Sequence, residues 1–136
     1  MNVLFTTSPF KLPQGIAVAR IIMGAFLIFH GKEIFDKALM ADYAKWEAFK
    51  AYPSPAFMAY LGKGSELITG ILLVAGLFTR MAALWNIATF LFIVFFVGHG
   101  QFWYNDQHPF MFVMVAFIFF FTGPGAWSFD SKFFKK

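Results

Sequence analysis

Residues 62–80, GKGSELITGILLVAGLFTR, form an apolar run long enough to cross a bilayer, and a carboxylic acid, Glu66, lies inside it. That combination restricts the chain severely. A charged group in hydrocarbon costs at least about 2.5 to 3.5 kcal/mol, so such a residue faces a bundle interior and finds partners there. Composition agrees with a membrane setting: 60% of the 136 residues are hydrophobic and 13% charged, against about a quarter charged in soluble domains. At about 20 residues per crossing, the length accommodates four helices with short connections.

All six prolines stand between apolar runs or at their edges, where proline punctuates helices rather than breaking them. The predicted crossings are residues 14–30, 55–78, 81–98 and 109–122. The expected fold is therefore all-α: a four-transmembrane-helix bundle, up-down-up-down, forming a single integral membrane domain over residues 1–136. Lys32 with Asp36 and Glu33 with Lys37 stand at i, i+4 spacing, which predicts that the first helix continues past the membrane with two ion pairs on its surface. Residues 36–52 alternate charges with Leu39, Met40, Tyr43, Trp46 and Phe49. This is the pattern of a short helix at the membrane surface, or of a connector helix packed on the bundle end. Ser54 before Pro55 is an N-cap and first-turn signature. The N-terminus lacks a small-x-small cleavage pattern, so the first crossing is expected to be retained.

Depth follows from the rise per residue. Measured from the N-terminal membrane face, Arg20 lies about 9 Å in and Asn86 about 8 Å in, whereas His30, Glu66, His99 and His108 fall at about 19 to 27 Å, with Lys63 close by. Two polar layers are expected. In the smaller one, Arg20 hydrogen-bonds Asn86 and free carbonyls at the end of the second helix; a direct bridge to Glu66 requires shifted helices. Ala17 and Gly24, one turn either side of Arg20, let neighbouring helices approach. In the larger layer Glu66 shares a face with Gly62, Thr69 and Gly70 and is either a proton donor or acceptor beside a bound molecule or a hydrogen-bonded packing residue.

Several chemistries have no support. The chain contains no cysteine, which excludes disulfides, thiolate metal sites and a thiol relay within it. None of the three histidines stands at HxxxH spacing, so no metal site is predicted. Histidines of different helices at one level are the minimum donor set for haem, with no further motif to support it. There is no phosphate-binding glycine loop, dinucleotide fingerprint or nucleophile elbow. The net charge of +4 is spread over loops and tail, which suits anionic lipid headgroups and offers no groove for nucleic acid. The chain has 22 phenylalanines; those of the third and fourth helices crowd them on every side and serve lipid contact, core packing or the docking of a partner.

Arg20, Gly24 and His30-Gly31-Lys32, the GILLVAGLFTRMAAL core following Glu66, and the ending GPGAWSFD together resemble the DoxX family of small four-helix bacterial membrane proteins. The resemblance covers nearly the whole chain, with Arg20, Glu66, Arg80 and Asp130 at recurring motif positions. It implies a multi-pass protein of the bacterial cytoplasmic (inner) membrane with both termini cytoplasmic. It also implies association with membrane oxidoreductase systems, such as a thiosulfate-to-quinone oxidoreductase. The charge count by itself gives no orientation, because five Lys and Arg residues fall toward each side, Lys63 near the start of the second crossing counted among them.

Two functions follow as expectations. One is a subunit of a quinone-linked oxidoreductase that binds quinone or a similar hydrophobic molecule at the polar layer. Glu66 would be catalytic, His30, Lys63, His99 and His108 would bind substrate, and Arg20, Asn86 and Arg80 would form structural polar contacts, while a partner oxidoreductase subunit would supply electrons. The other is a non-catalytic scaffold or lipid-binding protein, acting alone or as a homo-oligomer.

Overall fold

Proline and glycine set the helix boundaries in the computed structural model, which describes residues 3–135. Helix α1 spans Leu12–Gly31, with Pro13 in its first turn. Helix α3, Pro55–Ala75, starts where Ser54 Oγ accepts the Phe57 N–H at 3.3 Å and stops at Gly76, whose φ of 67° ends the helix earlier than the predicted 78. Helix α4 follows after a short turn as Thr79–Phe92 and continues as a π-helical turn, Ile93–Val97. Helix α5 is Gln107–Thr122 and the short α6 is Phe129–Phe133.

Between α1 and α3 the chain is helical in pieces rather than in one rod. A 3-10 turn covers Lys32–Phe35, helix α2 covers Lys37–Ala44, and a second 3-10 turn covers Glu47–Phe49. The two ion pairs expected beyond the first helix are not formed. Asp36 instead caps α2, accepting the Leu39 N–H at 3.0 Å, and Glu33 turns inward to Lys63 at 2.8 Å. Tighter winding over Lys32–Phe35 rotates Glu33 off the line of Lys37, because 3-10 and α-helices place i, i+4 residues differently.

Among the described residues the secondary structure is all helical. Three stretches, Leu12–Phe35, Pro55–Ala75 and Thr79–Val97, are long and apolar enough to cross a membrane; α5 is apolar but shorter, at 16 residues. The closest packing joins α1 and α3, which run antiparallel: Gly24 meets Gly70 and Val74, and Gly31 meets Leu67. A β-carbon at Gly24 would stand 2.8 Å from the Gly70 carbonyl oxygen, and one at Gly70 would stand 2.8 Å from the Gly24 oxygen. Small residues here are a condition of the backbones approaching. Leu27, Leu73, Ile87, Phe90, Val113 and Phe119 fill the core between α1, α3, α4 and α5.

At the end where α1 begins, the chain is tied into a knot of backbone acceptors around Arg20, which is fully buried. Its Nε donates to the Pro124 carbonyl at 2.8 Å, and its Nη1 donates to the carbonyls of Leu73 and, at 3.0 Å, Val74. Nη2 reaches the carbonyls of Ala126 and Trp127 at 3.1 and 3.0 Å. The carbonyls at the end of the second crossing are thus partners as expected. Asn86 is not: its amide nitrogen and oxygen have no hydrogen bond, although it is 1% exposed. Arg20's donors are consumed by the bend after α5 instead, where Gly123 and Gly125 adopt φ of 82° and 70°. Asp130 completes this end by accepting the N–H groups of Phe78 and Thr79 at 2.6 and 2.8 Å, capping α4.

Candidate functional site

At the opposite end the helices border a half-open cavity of about 570 Å³, within the size range of small-molecule sites. Its wall is apolar and aromatic. Trp46 and Phe49, from the segment after α2, face Phe92 at the end of α4, Val97 of its π-helical extension and Phe112 of α5. The π-helical turn contributes Ile93 and Val97 to this wall, an irregularity often found beside functional sites. The polar end is built by His30 of α1, Tyr43 of α2, Lys63, Ser65 and Glu66 of α3, Trp85 and Thr89 of α4, and His108 of α5.

Three of these groups and Glu33 form connected contacts. Lys63 Nζ lies 3.2 Å from Glu66 Oε2 and 2.8 Å from Glu33 Oε2. Tyr43 donates its hydroxyl to the same Glu33 oxygen at 2.7 Å, and the Lys63 ammonium lies 5.1 Å from the Tyr43 ring centre, a cation–π distance. Burial, together with the bond to the Glu33 carboxylate, pushes the Tyr43 phenol above its usual value, so it remains a donor at neutral pH. Glu66 is the deepest member, its side chain 8% exposed against 28% for Glu33. Beside it, Trp85 Nε1 donates to Ser65 Oγ at 3.0 Å, and Thr89 donates to the Trp85 carbonyl at 2.9 Å. The rings of His30 and His108 meet edge to face at 6.2 Å between centres, and His108 also packs edgewise on Phe112.

The structure therefore brings together Glu66, Lys63, His30 and His108, four of the residues the sequence singled out. His99 is not among them. The loop after α4 uses the His99 backbone, whose N–H donates to buried Asp106 at 3.0 Å alongside that of Gln101 at 2.9 Å, and the residue is exposed outside the cavity. Depth counting set His99 at the right level but is blind to direction around the loop. Arg80 lies at the other end, its Nε donating to the Phe120 carbonyl at 3.0 Å. A direct Arg20 to Glu66 bridge is absent, since Arg20 is spent on carbonyls and Glu66 on Lys63. Among the described residues no group of three or more acidic or histidine side chains is arranged to hold a metal ion.

Sequence reasoning missed Glu33, Tyr43, Ser65 and Trp85. A usable signal was present: Lys63 and Glu66 stand i, i+3 on one helix, and a half-buried ammonium needs more than one acceptor. A second acceptor within reach was therefore to be sought. Glu33 had been assigned to Lys37 instead.

A family model described as DoxX matches residues 15–99. An uncharacterized protein of Haemophilus influenzae is 29% identical over 131 residues, covering 91% of this chain and 94% of that one. No solved structure matches.

Proposed function

The chain belongs to the DoxX family, and from that premise we propose that it is an integral membrane subunit of a quinone-linked oxidoreductase system. In this reading the cavity between α2 and the long helices binds a quinone or similar hydrophobic molecule. The observation that carries it is the pairing of an aromatic wall with a buried, ion-paired carboxylate at one end of a single 570 Å³ space. A ring-shaped head group with oxygen substituents fits the polar end, and an apolar tail fits the wall of Phe49, Phe92 and Phe112. Glu66 exchanges protons with the head group, Lys63 holds Glu66 in place, and His30 and His108 contact the occupant from the sides. Electrons come from a partner oxidoreductase subunit.

The test is binding of a short-tailed quinol analogue, whose O–H can reach the carboxylate, to protein in lipid nanodiscs. Glu66→Gln preserves shape while removing the charge, and hydrogen bonds to charged groups contribute about 1.5 to 3 kcal/mol. Binding is expected to weaken by about tenfold or more at nearly unchanged melting temperature, because Lys63 keeps Glu33. Wild-type-like binding by both Glu66→Gln and Glu66→Leu would remove Glu66 from the site and leave the scaffold reading.

The same reading places the protein in the bacterial cytoplasmic membrane as a four-crossing, up-down-up-down bundle, with α5 as the fourth span and both termini cytoplasmic. A helix of this length spans a locally thinned bilayer. Cysteines introduced at Ala44 and Gln101 are expected to be labelled from one face, and those at Thr7 and Ser131 from the other. Labelling of all four from one side rules the topology out.

A further inference from the structure

Whether an occupant must give or receive hydrogen bonds is decided by what the protein leaves unpaired at the polar end. The ammonium of Lys63 is committed to Glu33 and Glu66, with its remaining side over the Tyr43 ring. The Tyr43 hydroxyl is given to Glu33, the Trp85 N–H to Ser65, and the Thr89 hydroxyl to a carbonyl of its own helix. These four donors are used within the protein; the Ser65 hydroxyl, which accepts from Trp85, keeps its own O–H and can serve an occupant of either kind.

Glu66 is placed differently. Its Oε2 receives Lys63, but its Oε1 takes no hydrogen bond from the described residues. Nor is that oxygen sealed in packing, as the Asn86 amide is, and Glu66 lines the cavity. An ionised carboxylate only accepts, whereas a neutral imidazole offers one donor and one acceptor. His30 and His108 can therefore serve either kind of occupant, and the open oxygen of Glu66 serves one kind only. Two carboxylates, Glu33 and Glu66, share one ammonium, so the cluster has acceptor capacity in excess.

We infer that the cavity is complementary to a hydroxyl-bearing head group, so that it holds the reduced quinol in preference to the oxidised quinone. A quinol presents O–H to Glu66 Oε1; a quinone carbonyl presents a second acceptor and leaves both oxygens unpaired. An unpaired buried acceptor loses its hydration without compensation, which makes the discrimination asymmetric. This inference rests on the quinone reading above and deepens it. Tighter holding of the quinol raises the potential of the bound couple, by about 30 mV for each tenfold preference. The site thereby favours quinone as an electron acceptor.

The experiment compares three probes on wild-type protein in nanodiscs of one lipid composition, without oxygen: a short-tailed benzoquinone, its quinol, and the dimethyl ether of that quinol, which has no O–H. The quinol is expected to bind at least about tenfold more tightly than either of the others. In Glu66→Gln, whose amide both donates and accepts, the preference is expected to collapse to less than about threefold. Glu66→Asp keeps an acceptor-only group and should bind more weakly overall while still preferring the quinol. Equal or tighter binding of the quinone overturns the inference and leaves the quinone site standing. Binding of none of the three overturns both. A uniform loss across all probes in Glu66→Gln assigns Glu66 to structure alone and also overturns it.

Discussion

Arg20→Ala is expected to be the most damaging single substitution in this chain, lowering stability by more than about 3 kcal/mol, because it strands several buried carbonyls at about 1 to 3 kcal/mol each. The guanidinium gathers five carbonyls from two parts of the chain, Leu73 and Val74 at the end of α3 and Pro124, Ala126 and Trp127 after α5. Truncation strands acceptors that water reaches poorly, since Arg20 is fully buried, and it leaves a space where the guanidinium stood. Arg20→Lys should recover only part of the loss: an ammonium carries charge but lacks the planar fork that reaches several acceptors at once. Thermal unfolding of purified protein in one detergent, for wild type, Lys and Ala, supplies the ranking. A melting temperature for Ala within a degree of wild type would contradict the assignment of Arg20 as the tie between these segments.

Gly70→Val is expected to rank next, with a loss of at least about 3 kcal/mol, the upper end of what overpacking costs. Ordinary overpacking is relieved by side-chain rotation. Here the atoms met by a new β-carbon include the Gly24 carbonyl oxygen and the Ile28 nitrogen, both at 2.8 Å, so relief requires α1 and α3 to part. Gly70→Ala should already be destabilising, and Val worse. Disulfide crosslinking between cysteines placed on α1 and α3 gives an independent reading, because separation lowers the crosslinking yield alongside the melting temperature. Stability retained in Gly70→Val would mean that this helix pair tolerates a wider spacing than the one described.

Helix existence was legible because the signals are local. Proline at positions 13 and 55, Ser54 before the second of these, and apolar runs of fixed length need no knowledge of what packs against them. The buried state of Arg20 and Glu66 was legible too, since a charge within hydrocarbon has few alternatives. What the linear pattern withheld was direction. Asn86 shares an expected level with Arg20, yet the five carbonyls outcompete it, three of them from the bend after α5 that no helical periodicity describes. Spacing pairs Glu33 with Lys37, but a 3-10 turn moves it onto Lys63. His99 lies at the proper depth while its loop, pinned by Asp106, carries it out of the cavity. Each of these differences is set by a contact distant in sequence or by a change in helical winding, and neither leaves a mark in spacing alone.

The partners of Arg20 also impose an order in time. Leu73 and Val74 lie 53 and 54 residues after it, whereas Pro124, Ala126 and Trp127 lie 104 to 107 residues after it. During synthesis, α1 enters with its arginine unsatisfied, α3 delivers the first two carbonyls, and the remaining three exist only once residues 124–127 have left the ribosome. Until then the guanidinium retains open donors inside a half-assembled bundle. A chain that ends before Pro124 therefore lacks three of the five acceptors that hold Arg20 in the finished fold.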